Sequence, residues 1–283
     1  MAYRFLRFPG GKTKAVTFSY DDGSRTDLRL AEVLDRYNMK CTFNLNSSRL
    51  LEGSALTLDE AKALVGNGHE VAVHGKHHIA CGIAPAADGI RDVLTCREEL
   101  ESAFGRIIRG MAYADTGITA FANGTDYATV RKYLTDLGIV YSRTLGADND
   151  RFELPSDWLA WMPTAHHNNP QMFDFIEKFI SCDVNSQYCA ARYPRLFYIW
   201  GHSYEFEHND NWNLLESICK KLGGKEDIWY ATNIEIYEYV NAYNSLVWSA
   251  DFKTVYNPTL CNVYFDIMGK AYCVRSGETL VTE

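Results

Sequence analysis

The 283-residue sequence lacks the features that mark secreted, membrane-embedded and thiolate-metal proteins. Its start, Met1-Ala2-Tyr3-Arg4-Phe5, has no apolar run long enough for a signal peptide, and no later stretch could span a bilayer. The eight cysteines show no CxxC spacing, which is typical of reduced, buried thiols and not of disulfides or a cysteine zinc site. We therefore expect a soluble, cytoplasmic protein.

A basic patch and a phosphate-binding fingerprint are also missing. The formal net charge is -8, so nucleic acids and anionic membrane surfaces would be repelled. No glycine-rich turn follows the first strand candidate, which argues against a dinucleotide-binding sheet. We expect neither a nucleic acid nor a membrane as partner, and the sequence leaves the oligomeric state open.

Strand-like and helix-like segments alternate from residue 14 to about residue 245. The strand candidates are Lys14 to Tyr20, Lys40 to Leu45, His69 to Val73, Ile107 to Ala112, Ile139 to Ser142, Trp158 to Met162 and Arg195 to Trp200. Helix candidates begin near Asp27, Thr57, Gly89, Thr125, Pro170, Asn211 and Asn233. Such alternation predicts an α/β fold, either a barrel or a doubly wound sheet, with the ligand site at the carboxyl ends of the parallel strands.

The sequence changes character after Ser245. Short β-like pieces follow, separated by Asn257-Pro258 and Met268-Gly269. Because roughly 40 residues is short for an independent core, we expect residues 246–283 to form a small C-terminal β appendage packed on a barrel of residues 1–245.

Two adjacent carboxylates, Asp21 and Asp22, stand where the first strand candidate ends, and Gly23 follows them. Alternating side chains send the two carboxylates in different directions, so one could bind a cation while the other transfers protons. The alternative is a simple tight turn, because Asp-Gly is a favoured turn pair.

Histidines follow two later strand candidates. His74 and His78 lie four residues apart after the third strand, a spacing that brings two imidazoles to one divalent metal. With one carboxylate they would leave coordination positions open for water and substrate. His202 follows Gly201 at the end of a later strand, where it could protonate a leaving group. Each histidine could instead be a structural or solvated residue of its loop.

These three stretches, in this order, resemble the polysaccharide deacetylase family, the carbohydrate esterases with a NodB-like domain. The first family motif is similar to Phe18 through Gly23, and the His-x-x-x-His motif is matched by His74 and His78, with Gly75 where the family usually has Ser or Thr. In the late Leu-x-His motif, His202 matches and Trp200 stands at the leucine position. The resemblance spans roughly residues 14 to 245 and implies a deformed (β/α) barrel.

The resemblance also implies site roles. Asp22, His74 and His78 would bind one divalent metal, with zinc expected and cobalt, nickel or manganese as alternatives. Asp21 would be the general base and His202 the general acid.

The family arginine that orients the base has two candidates. Arg109 fits one register of the loose Arg-x-Pro-Tyr counterpart at residues 109–115. In the other register Ala112 stands at the arginine position, and Arg143, at the end of the next strand, is then the candidate to pair with Asp21. Further side chains are expected around the substrate, namely Tyr113, Asp115, Trp158 of the Asp-Trp match, His166, His167 and Trp200.

The sequence thus predicts a metal-dependent hydrolase acting on carbon-nitrogen bonds other than peptide bonds, most simply a deacetylase of N- or O-acetylated carbohydrates. A related amidohydrolase acting on a small amide or cyclic ureide is the first alternative, because the same metal, base and acid would serve it. A sugar-binding module with a silent site is the second.

Overall fold

The computed structural model describes residues 2–52, 55–145 and 149–282. Their strands, in chain order, are β1 (Arg4–Arg7), β2 (Lys14–Asp21), β3 (Cys41–Leu45), β4 (Glu70–Val73), β5 (Gly110–Ala112), β6 (Tyr141–Arg143), β7 (Ala165–His166), β8 (Arg195–Gly201), β9 (Ile228–Tyr230), β10 (Val247–Trp248), β11 (Thr254–Tyr256), β12 (Val263–Ile267), β13 (Lys270–Val274) and β14 (Thr279–Val281). The α-helices are α1 (Asp27–Arg36), α2 (Ser47–Glu52), α3 (Leu58–Gly66), α4 (Ala86–Phe104), α5 (Tyr127–Asp136), α6 (Met172–Ser181), α7 (Tyr204–His208), α8 (Trp212–Leu222) and α9 (Asn233–Asn244).

The main sheet is parallel and has the strand order β6-β5-β4-β3-β2-β8-β7. One edge of β2 pairs with β8, and the other is shared by β9 along the first residues and β3 along the last. The segment between the two ends of this order completes the ring, because Trp161 bridges to Arg143 of β6 and the Thr164 amide donates to the Tyr198 carbonyl of β8. The predicted deformed (β/α) barrel is confirmed.

The strand predicted at Trp158 to Met162 is wrong. Residues Trp158–Ala160 form one turn of 3-10 helix, because the Asp157 side chain caps the turn by accepting a hydrogen bond from the Leu159 amide. The strand that follows β6 is β7, at Ala165–His166.

Strand β2 positions the site through its alternation. Val16, Phe18 and Tyr20 are fully buried in the larger apolar core, together with residues of the surrounding helices. The intervening Thr17, Ser19 and Asp21 are buried polar residues. Since alternate residues of a barrel strand face the interior, this polar row points inward and ends with Asp21 at the carboxyl end of the barrel.

Residues near the two chain ends form small antiparallel sheets. Strand β1 pairs with β12, which pairs with β13, and a second sheet has the order β10-β11-β14. Val255, Val263 and Phe265 form a separate small core there with Ala242 of α9 and Leu246, which follows α9. The division into residues 1–245 and 246–283 stays a prediction, and β1 of the first part pairs with β12 of the second.

No helix among the described residues is long and apolar enough to cross a membrane. All eight cysteines are unpaired.

Candidate active site

The predicted metal ligands meet at the carboxyl end of the barrel. Asp22, His74 and His78 each present one ligand atom, and these atoms lie within 4.8 Å of one another. Asp22 Oδ1 is 3.8 Å from His74 Nε2 and 3.6 Å from His78 Nε2. An oxygen and two imidazole nitrogens grouped in this way form a donor set suited to a divalent metal.

Local backbone conformation brings Asp22 to this point. Asp22 and Gly23 both have positive φ, 78° and 64°, and the Asp22 amide donates to the Asn44 carbonyl at 3.1 Å. The tight turn at Asp22-Gly23 therefore also positions Asp22 as a candidate metal ligand. A non-glycine residue in this region carries backbone strain, which is common at functional sites.

The tautomer of His74 suits metal binding. His74 is buried, and its Nδ1 lies 2.9 Å from the Ala112 carbonyl, which can only accept. Nδ1 thus carries the proton, and the Nε2 lone pair points toward Asp22. His74 Nε2 and Asp22 Oδ1 are buried atoms without a hydrogen-bond partner, although Arg49 Nη1 lies 3.2 Å from that oxygen. Orphaned buried atoms of this kind fit a cation.

Asp21 is fixed by two buried partners, and its Oδ2 lies 3.9 Å from His74 Nε2. The Arg143 guanidinium pairs with Asp21 Oδ2, and Asn44 Nδ2 donates to Asp21 Oδ1 at 2.8 Å. Burial opposes ionisation of Asp21, but Arg143, with His74 and His202, outweighs it and lowers the pKa of Asp21 below its ordinary value. The carboxylate is therefore ionised and fixed in orientation.

His202 is oriented by a carboxylate in the next helical turn. Its Nδ1 donates to Glu205 Oε1 at 3.0 Å. Burial works against a proton on the ring, but the Glu205 hydrogen bond and the charge of Asp21 raise the pKa of His202 above its ordinary value. The ring is thus poised as a proton donor.

Glu205 is a residue that motif reasoning missed. Its Oε2 lies 3.1 Å from Nε2 of both His166 and His167. Burial opposes ionisation of Glu205, but its hydrogen bonds with these histidines and with His202 hold its pKa far below its ordinary value. His166, His202 and Glu205 also have ligand atoms within 4.8 Å of one another. The i+3 spacing from His202 is the one sequence signal that could have found Glu205.

His166, His167 and Trp200 surround this carboxylate. His167 is fully buried against the Phe206 ring, and burial lowers the pKa of His167 to about 4. The Trp200 ring contacts His166 and lies 4.3 Å from the Arg143 guanidinium. Trp200 therefore helps to fix the arginine that pairs with Asp21.

The other expected residues lie elsewhere. Arg109 precedes β5 at the amino end of the strands and pairs with Glu238 of α9, so Arg143 is the arginine that contacts Asp21. Trp158 packs on Trp161 and Tyr237 and lines a surface pocket with residues that precede β6.

Tyr113 and Asp115 follow β5. Tyr113 is buried and donates to the Leu159 carbonyl at 2.8 Å, so its hydroxyl is engaged in packing the barrel. Asp115 is exposed in the following turn with a positive φ of 51°. Neither observation assigns these two residues a contact with substrate.

The barrel and its Asp-His-His group define the class, a NodB-like deacetylase barrel. Residues 9–141 match the model of the polysaccharide deacetylase family, and the resemblance predicted from the motifs is confirmed. No curated protein matches the chain by sequence.

Solved structures share the fold at low sequence identity. PuuE allantoinase aligns with a TM-score of 0.59 and 14% identity over 82% of this chain and 91% of its own. A Mycobacterium smegmatis protein described as a polysaccharide deacetylase aligns with a TM-score of 0.56 and 18% identity over 86% and 96%. A Streptomyces lividans family 4 carbohydrate esterase, solved with acetate, gives 0.50 and 15% over 77% and 91%. These likenesses establish the fold.

Proposed function

We propose that this protein is a metal-dependent hydrolase that removes an acetyl group from an N- or O-acetylated carbohydrate. The observation that carries the proposal is the grouping of Asp22, His74 and His78 beside the carboxylate of Asp21 and the imidazole of His202, whose pKa is raised. A cation site, a base and an acid at one end of a barrel are the parts that acyl hydrolysis needs.

The cation would be held by Asp22 Oδ1 and the Nε2 atoms of His74 and His78. Two imidazoles and one carboxylate favour zinc, and cobalt, nickel or manganese could take the same ligands. When bound, such a cation supplies Lewis acidity, which polarises an acyl carbonyl and lowers the pKa of water.

Asp21 takes the proton of the attacking water. Its carboxylate is available because Arg143 keeps it ionised, and the Asn44 hydrogen bond limits its rotation. The water oxygen forms a bond to the acyl carbon while its proton passes to Asp21.

His202 supplies the proton for the leaving group. As the bond from the acyl carbon to nitrogen or oxygen breaks, His202 protonates the departing amine or alkoxide, and acetate is the other product. The hydrogen bond to Glu205 orients the donating ring and, against the effect of burial, raises the pKa of His202.

Hydrolysis of a small amide or cyclic ureide is the second candidate. The likeness to PuuE allantoinase favours it, since that barrel aligns over 82% of this chain. The same base and acid would cleave a ureide carbon-nitrogen bond, so the two candidates differ in substrate and share their machinery.

Metal analysis and product assays separate these functions. We expect purified protein to hold one divalent ion per chain and to release acetate from acetylated chitooligosaccharides or xylooligosaccharides. Asp22→Asn should lose the ion, whereas Asp21→Asn should keep the ion and lose acetate release. Asp136→Asn, an exposed position on α5, is the matched control and should change neither. Metal with ureide turnover and no acetate would favour the second candidate, and unchanged activity in Asp21→Asn would exclude the scheme.

A further inference from the structure

A second group of metal-ligating side chains lies at the carboxyl end of the barrel. His166 ends β7, His202 follows β8 and Glu205 lies in α7, and their ligand atoms lie within 4.8 Å of one another. We call these three residues the histidine cluster. It shares no residue with the group around Asp22, and two imidazoles with one carboxylate suit the same first-row divalent cations.

Glu205 directs one oxygen to each imidazole of the histidine cluster. Its Oε1 lies 3.0 Å from His202 Nδ1, and its Oε2 lies 3.1 Å from His166 Nε2. The side chains of His166, His202 and Glu205 are 27%, 22% and 23% exposed, so an ion from solvent can reach them. One carboxylate thus brings two imidazole nitrogens toward a common point that is open to solvent.

His167 adds an unsatisfied nitrogen at the same place. Its side chain is fully buried, and its Nε2 lies 3.1 Å from Glu205 Oε2. Neither ring nitrogen of His167 has an aligned hydrogen-bond partner in the described part of the chain. Because buried polar atoms are nearly always paired, this ring points to a ligand that approaches beside Glu205.

The end of β8 is built to hold these rings closely. Gly201 makes room for them, because a Cβ there would lie 2.0 Å from His167 Nδ1 and 3.2 Å from His166 Nε2. The Phe206 ring stacks on His167 with centroids 4.1 Å apart, and the Trp200 ring meets His166 in an edge-to-face geometry. Both imidazoles are therefore held in place before a cation binds, which lowers the entropy cost of binding.

We propose that His166, His202 and Glu205 form a second divalent-cation site, suited to zinc, whose occupation inhibits the enzyme. The cation binds Nε2 of His166, Nδ1 of His202 and the Glu205 carboxylate. His202 gives up its Nδ1 proton to solvent and loses the carboxylate that orients it, so the ring is no longer the charged acid that the leaving group needs. The inhibition rests on the proposed function, whereas the binding of the cation does not.

The histidine cluster should bind zinc more weakly than the group around Asp22. The Asn168 amide donates to His166 Nδ1 at 3.2 Å, which favours a proton on Nε2. When a cation takes Nε2, the ring must carry its proton on Nδ1, and the Asn168 hydrogen bond is lost. His74 already has its proton on Nδ1, where the Ala112 carbonyl accepts it. The first ion should therefore be retained on purification, and the second should bind when zinc is added.

Calorimetric titration of zinc into the Asp22→Asn protein tests the second site through binding alone, because this variant disables the first group. We expect one ion to bind per chain. In this background His166→Gln should weaken zinc affinity by at least about tenfold, since loss of even an outer-shell partner of a metal costs about 10- to 100-fold. Glu205→Gln should have the same effect. His208→Gln, at an exposed histidine of α7, is the matched control and should leave zinc affinity unchanged.

The Tm of each variant shows whether it is folded. Absence of zinc binding to Asp22→Asn would overturn the inference. Zinc binding that both His166→Gln and Glu205→Gln retain, or an equal loss of affinity in His208→Gln, would also overturn it.

Acetate release at increasing zinc concentration separates the second site from the proposed function. With the wild-type protein, release should rise as the first ion binds and fall at the higher concentrations that fill the histidine cluster. In His166→Gln this fall should shift to higher zinc by the factor that calorimetry gives. Release without any fall would overturn the inhibitory role. Zinc binding that depends on His166, with no acetate release at any zinc concentration, would retain the cation site and refute the proposed function.

Discussion

Replacing Arg143 with methionine should damage both stability and catalysis. Arg143 is fully buried and Asp21 is 1% exposed, so the substitution leaves in the barrel a carboxylate that keeps the Asn44 hydrogen bond but loses its cation. Removing one partner of a buried pair costs about 3–5 kcal/mol. For a chain of this size that predicts a fall in Tm of about 6–20 °C. Loss of the ionised, oriented base should lower kcat/KM by about 100- to 10,000-fold.

The stability effect should depend on pH with a definite sign. The pKa of Asp21 is lowered in the folded chain, so the pair stabilises the fold above the unfolded pKa of about 3.9 and loses this contribution as pH falls through the folded pKa. The difference in Tm between wild type and Arg143→Met should therefore be largest near neutral pH and narrow in acid.

Arg109→Met is the matched control for this prediction. Arg109 is partly exposed and pairs with Glu238 at the surface, where ion pairs contribute little. Differential scanning calorimetry measures the Tm of both variants, and acetate release measures their activity. Equal losses in the two variants, or an Arg143→Met protein with the wild-type Tm and rate, would refute the assignment of Arg143.

Two further variants test the orientation of His202 by Glu205 and the conformation of the loop between His74 and His78. Glu205→Gln should lower the pKa of His202, so the alkaline limb of the pH profile of kcat/KM should move to lower pH while metal content is unchanged; an unmoved limb would contradict the role of Glu205. Gly75→Ala should weaken zinc binding in chelator competition, because the new Cβ would lie 2.2 Å from Asp92 Oδ2 and the backbone there has a φ of +76°. Gly66→Ala is the control and should leave zinc binding unchanged, because a Cβ at Gly66 meets open space. Equal zinc affinity of both alanine variants would show that the loop tolerates the clash.

The sequence predicts the candidate site at strand ends that carry carboxylate or imidazole side chains. Asp21 ends a buried strand, Asp22 and His74 each follow one, and parallel strands bring their carboxyl ends to one face. Strand direction also separates the two arginine candidates. Arg109 stands before its strand and Arg143 at the end of its strand, so they lie at opposite ends of the barrel.

Residues that act through a partner could not be predicted in the same way. Asn44 lies inside β3 and Glu205 in a short helix, and neither belongs to a recognisable pattern. Their roles depend on which side chains the fold brings to them, such as Asp21 and His202. The contact of Asn44 with Asp21 joins separate strands and has no local sequence signal, and for Glu205 the i+3 spacing from His202 is the single signal.

The misassigned strand has a similar cause. Trp158 to Met162 is apolar enough for a strand, but the Asp157 cap turns the chain and Trp161 makes a single bridge to β6. Likewise, β1 finds its partner in β12, more than 250 residues along the chain. The periodicity of the sequence predicts which residues are buried, but it does not predict which strands pair.

Titration of zinc into chelator-treated protein, with acetate release followed from acetylated chitooligosaccharides and xylooligosaccharides, tests the central claim most directly. The account predicts that activity rises with zinc to a plateau at one ion per chain, and that Asp22→Asn neither binds this ion nor gains activity. Acetate release that is independent of zinc, or a tightly bound ion with no hydrolysis of any acetylated sugar or ureide, would contradict it.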